Sequence, residues 1–181
     1  MNQLKKYVVN QKTILLAGEY TQYGRLYTRV VEGDQSMLVE LPPISVLIDT
    51  LHYYGKNLKG AIEGAKSILG KVQMCPIIVS DVQDICLFPH VSPERQDCIW
   101  FSHKHVIKTH SHGRCTVVEL SNGRSLLVSG KLAAFNSKKQ KAGDLRRIVH
   151  ERSHSLMTLD DKPKRAYLLC PMTGRIRFDE E

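Results

Sequence analysis

CTVVELSNGRSLLVSG, residues 115–130, decides the fold class. Thr116–Leu120 and Ser125–Val128 are short β-branched and aliphatic runs, and Asn122-Gly123 lies between them. Both turn residues tolerate positive φ, which a tight hairpin demands, so an antiparallel pair of strands is expected here. The same pattern recurs upstream. Tyr7–Leu16, Leu26–Val31, Met37–Leu41, Pro76–Val79, Ile85–Phe88 and Ile99–Lys108 read as strands, with breaks at Gly18, Gly24 and Gly33-Asp34.

Two stretches have a different period. Pro42-Pro43 ends the strand pattern, and Leu47, Leu51, Tyr54, Leu58, Ile62, Ala65 and Leu69 then follow at steps of three or four, lining one face of a helix. Gly55, Gly60 and Gly64 each lower its propensity by up to ~1 kcal/mol relative to Ala. No strand-to-helix phosphate loop surrounds them, so they read as packing positions. Lys131–His150 is also helix-compatible, with Leu132, Phe135, Leu145, Ile148 and Val149 as its apolar positions and Gly143 as a candidate break. The expected fold is α+β: mainly antiparallel β-strands forming a sheet or barrel-like scaffold, with two helical segments at about 44–69 and 131–150. Alternation puts Trp100 and Phe101 on opposite faces of their strand, with Trp100 inward and Phe101 nearer the surface.

At 181 residues the chain fits a single domain, 1–181, large enough to bury a sizeable core. Its hydrophobic fraction of 42% and charged fraction of 24% are ordinary globular values. No apolar run approaches the ~20 residues of a membrane span, and the N-terminus reads as unexported, so no membrane partner is expected. Cys75, Cys86, Cys98, Cys115 and Cys170 form no CxxC pair, which suggests reduced thiols in the cytosol. The net charge of +8 is lopsided: residues 1–99 carry 10 Lys/Arg and 10 Asp/Glu, and residues 100–181 carry 16 and 8. Such a field attracts polyanions.

His103-x-His105 and His110-x-His112, flanked by Cys98 and Cys115, are the residues most suggestive of chemistry. An HxH pair on a strand points both rings to one face. Their spacing matches no common structural zinc pattern, and exposed imidazoles on a basic hairpin explain them equally well. There is no GxSxG, GxxxxGK[ST] or HExxH motif, so no catalytic residue, cofactor or metal is expected, and the chain reads as a non-enzyme. Two alternatives remain: a metal-dependent hydrolase using the His103/His105/His110/His112 cluster, and a non-specific RNA-binding module.

An ordered set of short motifs then carries a resemblance. YYGKNLKGAIEG (Tyr53–Gly64) is followed by Pro76–Val79, Leu87-Phe88-Pro89, Cys98–Val106 and Leu120–Arg124 in the order and spacing of the competence transcription factor family. Residues ~50–130 resemble that family well and both ends more loosely. The resemblance implies a cytoplasmic, nucleoid-associated activator of bacterial DNA-uptake genes. It further implies binding to paired AT-rich boxes in double-stranded DNA, largely through the minor groove, as a dimer or larger homo-oligomer that works with RNA polymerase. Trp100–Ile148 is also similar to DNA-binding domains of the LytTR class, in which loops projecting from a β-scaffold read DNA. On that likeness His103, Lys104 and Lys131 face bases or groove edges.

Residues 1–99 are then N-terminal strands plus the glycine-containing helix, 100–150 the DNA-binding half, and 151–181 a tail. The expected DNA-binding residues are His103, Lys104, Lys108, Arg124, Lys131, Lys138, Lys139, Lys141, Arg146 and Arg147, of which Arg124, Arg146 and Arg147 are candidates for groove insertion. Pro163–Pro171 is similar to a family segment recognised by an adaptor of a cytosolic AAA+ protease, with Tyr167, Leu168, Leu169, Cys170 and Pro171 as the adaptor-binding residues. A strand completing the core is the competing reading. Met172 departs from the lysine expected there, and the sequence ends at Glu181 without the longer helical tail of the family pattern, which bears on assembly and activation.

Overall fold

The computed structural model describes residues 3–154 and 167–178. Its centre is a seven-stranded open sheet made of β1 (Gln3–Leu4), β2 (Thr13–Tyr20), β3 (Leu26–Glu32), β4 (Gln35–Val39), β5 (Ile77–Ser80), β6 (Ile85–Pro89) and β7 (Ile99–Ser102). The order is β1-β4-β3-β2-β7-β6-β5, antiparallel throughout except for the β1–β4 edge pair. A second, three-stranded sheet contains β8 (Val106–His112), β9 (Cys115–Leu120) and β10 (Ser125–Ser129), in the order β10-β9-β8. The fold is thus α+β with largely antiparallel strands, and the scaffold is a pair of open sheets rather than a barrel.

Asn122-Gly123 makes the β9–β10 turn, with Gly123 at φ 77° and its N–H donating to the Leu120 carbonyl. Pro43 opens α1 (Pro43–Tyr53), where a missing N–H costs nothing. The single helix expected over 44–69 is two helices. Gly55, at φ 71°, reverses the chain after α1, and Asn57 restarts it as the N-cap of α2 (Leu58–Leu69) by accepting a hydrogen bond from the Gly60 N–H. By contrast, Gly143 does not break α3, which runs from Leu132 to His154. Gly18, also read as a break, lies inside β2, and the strand expected from Tyr7 begins at Thr13. The run Ile99–Lys108 is interrupted after β7 by a 3₁₀ turn at His103–His105, so the HxH pair does not sit on a strand.

Both faces of the large sheet are covered. On one, Leu16, Val30, Leu87 and Trp100 pack against Val46, Leu47 and Leu51 of α1. On the other, Phe88 and Phe101 meet Val106, Val118 and Val128 of the small sheet and Phe135 and Ala142 of α3. Phe135 stands edge-on to both phenylalanine rings at centroid distances of 5.6 and 5.4 Å. Trp100 and Phe101 do point to opposite faces, but Phe101 is fully buried rather than near the surface, because the small sheet and α3 cover its side. A third cluster, Ala65, Val72, Cys75 and Leu145, joins α2 to α3. All five cysteines are free. Tyr167–Leu169 (β11) pairs antiparallel with Ile176–Phe178 (β12) in a two-stranded sheet of its own.

Candidate nucleic-acid interface

Residues 100–154, which supply the 3₁₀ turn, the small sheet and α3, carry eleven Lys and Arg against Glu119, Asp144 and Glu151. Folding disposes these cations in three ways. Lys104 and Arg146 converge on Asp84, at 2.9 and 2.5 Å. Asp84 sits in the β5–β6 turn at a positive φ of 57°, so the turn presents its carboxylate to both cations, which hold it below the usual carboxylate range against the opposing effect of burial. Arg146 also donates through Nη1 to His103 Nδ1 at 3.0 Å. It is therefore half-buried in a bridge between α3, the 3₁₀ turn and the large sheet.

The three lysines of α3 do not share one flank. Lys138 is half-buried and donates to the His90 carbonyl at 2.7 Å, and it and Lys141 act on the Cys75 and Cys98 side of the helix. Lys139 instead faces His103. Lys108 on β8, Arg124 in the β9–β10 turn, Lys131 before α3 and Lys141 are exposed and carry no ion pair among the described residues. Arg147 is exposed and pairs along the helix with Glu151 at 3.0 Å, a contact that a phosphate can replace at little cost.

Between β8 and α3 lies an open groove of about 440 Å³ lined by His103, Ile107, Lys108 and Thr109 on one side and Asn136, Lys139 and Gln140 of α3 on the other. The His103 ring forms its floor, over Gly143. A β-carbon at 143 would lie 2.9 Å from His103 Nε2, so glycine here permits the close approach. Burial, then Arg146 and Lys139, push the His103 pKa down to about 4, with Asp84 opposing, so the imidazole is neutral at pH 7. His105 is engaged elsewhere: Nδ1 meets the Ser121 hydroxyl at 2.6 Å and Nε2 donates to the Gln11 carbonyl at 2.7 Å.

The four histidines are thus not brought together. His110 and His112 point outward from β8, with His110 3.5 Å from Glu119, and no three metal-ligating side chains converge among the described residues. The residues named for the hydrolase alternative thus do not form one cluster. Four positions at this surface escape sequence reasoning. Asp84 comes from a turn about 60 residues distant and leaves no local signal, while Ile107, Thr109 and Asn136 look like ordinary strand and helix residues until β8 and α3 are set side by side. The proposed adaptor residues lie on β11 and just after it, with Cys170 half-buried and Pro171 exposed in the turn. The start of that segment, residues 163–166, lies outside the described residues.

No solved structure matches the chain. A curated relative, the competence transcription factor of Bacillus subtilis (strain 168), is 26% identical over 178 residues, covering 97% of this chain and 89% of the relative. The family model described as ComK protein matches residues 4–154, a span that runs from the end of β1 to the end of α3. The chain therefore belongs to the ComK family of competence transcription factors.

Proposed function

We propose that the chain is a DNA-binding activator of bacterial competence genes that grips paired AT-rich promoter boxes, largely through the minor groove, with the β8–α3 side of the fold. The observation that carries this reading is the excess of eleven cations over three acids in residues 100–154, on a chain whose first 99 residues are neutral. Lys108, Arg124, Lys131, Lys139 and Arg147 supply phosphate contacts and release counterions, which gives affinity without sequence information. AT preference comes from the narrow groove of such sequences and from their bending. Lys104 and Arg146 hold the surface in shape through Asp84. Two boxes call for at least two copies of the chain, positioned to engage RNA polymerase at the nucleoid, and Tyr167–Pro171 serves as the segment by which a protease adaptor removes the activator.

Footprinting on a duplex with two spaced AT-rich boxes tests the central statement, with mixed-sequence duplex and RNA as competitors. Protection of both boxes that survives excess competitor is expected. Equal displacement by RNA would turn the assignment toward a general polyanion binder.

A further inference from the structure

The lip of the β8–α3 groove combines an exposed aliphatic side chain with a fixed amide, and both suit one feature of AT-rich DNA. Ile107 is 60% exposed. Exposure alone does not single it out, since Val82 is 85% exposed, but Val82 stands in the turn between Asp81 and Asp84, whose carboxylates already engage Lys56, Lys104 and Arg146. Ile107 has the opposite setting, on a groove wall with Lys108 beside it and Lys139 across. It is also the extra residue of a β-bulge: Val106 pairs with Leu120 and Lys108 with Glu119, and nothing opposes Ile107. A bulge re-aims a side chain out of the regular alternation.

Asn136 projects from α3 into the same groove. The Thr109 hydroxyl donates to its Oδ1 at 2.7 Å, which orients the carboxamide with its oxygen toward Thr109 and its NH₂ end away from it. In the minor groove A·T and T·A pairs both present only acceptors, adenine N3 and thymine O2, whereas G·C adds a guanine NH₂ donor. A fixed donor is accepted by the first two pairs and opposed by the third. Apolar side chains inserted at such steps partly unstack them and kink the duplex.

Resting on the minor-groove reading above, we infer that Ile107 and Asn136 form the A·T-selective contact of this surface. Asn136 donates to the groove acceptors, Ile107 wedges the adjacent base step, and Thr109 is a positioning residue that orients the carboxamide. The pair selects A·T over G·C without telling A·T from T·A.

The test uses the full chain and three duplexes of equal length whose boxes are A·T, G·C or inosine·C. Inosine·C retains the minor-groove acceptors and lacks the guanine amino group. Wild type should bind A·T and inosine·C alike and G·C more weakly; if inosine·C behaves as G·C, the minor-groove reading itself fails. With that reading in place, Asn136→Ala should reduce the A·T over G·C preference roughly tenfold while leaving the salt dependence unchanged. Thr109→Val should reduce the same ratio by less. Ile107→Ala should abolish the bend seen by energy transfer between the duplex ends and the brightening of 2-aminopurine at the box, and Ile107→Leu should keep both. Unfolding by urea, expected to be little changed for the exposed Ile107 and Asn136 and the half-buried Thr109, certifies the variants. An unchanged preference in Asn136→Ala together with an unchanged bend in Ile107→Ala overturns the inference.

Discussion

Acidification is expected to weaken the protein through His103. Its folded pKa of about 4 lies below the ordinary 6.5, so between those values the unfolded chain binds a proton that the folded chain refuses. This contribution to stability is complete above pH 6.5 and is lost as the pH falls toward 4. Each pH unit in that window is worth at most about 1.4 kcal/mol, giving a ceiling of about 3 kcal/mol. The ring is only partly buried and the cations beside it are screened by solvent, which reduces the expected loss to about 1–2 kcal/mol. Urea unfolding of wild type and His103→Gln at pH 7.5, 6.5, 5.5 and 4.5 isolates the residue, because the other titrating groups cancel in the difference between the two proteins. Wild type should lose about 1–2 kcal/mol more than the variant across the series. Parallel profiles, or a His103 ring signal titrating above pH 6.5 in NMR, would refute the reasoning and show that the groove floor is wet.

Trp100 is 3% exposed against α1 and the first sheet face, so Trp100→Ala should cost roughly 3–5 kcal/mol in urea unfolding; a stable variant defective only in DNA binding would make it a contact residue instead. Lys139→Ala should lower the slope of log affinity against log salt by about 0.9 without loss of stability, whereas Lys138→Ala should destabilise the fold by about 1 kcal/mol through its bond to the His90 carbonyl. The same titration of Lys56→Ala, Lys59→Ala and Lys66→Ala should leave the slope unchanged, and the reverse pattern would move the DNA surface to α2. Replacing Leu168 and Leu169 by Ala should lengthen the protein's lifetime in cells that contain the adaptor and protease while DNA binding persists; unchanged turnover would count against the adaptor segment.

The strand grammar carried most of the fold. Asn122-Gly123 marked its turn, and Pro42-Pro43 marked the switch from β4, which ends at Val39, to α1. The failures have local physical causes. Tyr54 and Leu58 keep the helical apolar spacing across the α1–α2 junction, so the period survives a reversal that only Gly55 and the Asn57 cap betray. Gly143 reads as a helix breaker, yet its missing side chain is filled by His103 from another element. For the interface, sequence supplied the charge excess but not its disposition. Three closely spaced lysines divide between two flanks of α3, and Arg146 is committed to Asp84, a partner that becomes visible only when the β5–β6 turn is folded against the helix.

The contact of the His103 ring with Gly143 has an evolutionary corollary. With 2.9 Å available where a β-carbon would stand, alanine at position 143 can be accepted only if the ring retreats, and Arg146 tethers that ring. The two positions are therefore coupled: an imidazole at 103 favours glycine at 143, and a shorter residue at 103 leaves room for a methyl group and its helical propensity. Order matters along such a path, since the substitution at 103 opens space for the one at 143 while the reverse order requires the ring to shift away from Arg146. An alignment of relatives should show the pair as correlated, with alanine at position 143 depleted wherever position 103 is histidine.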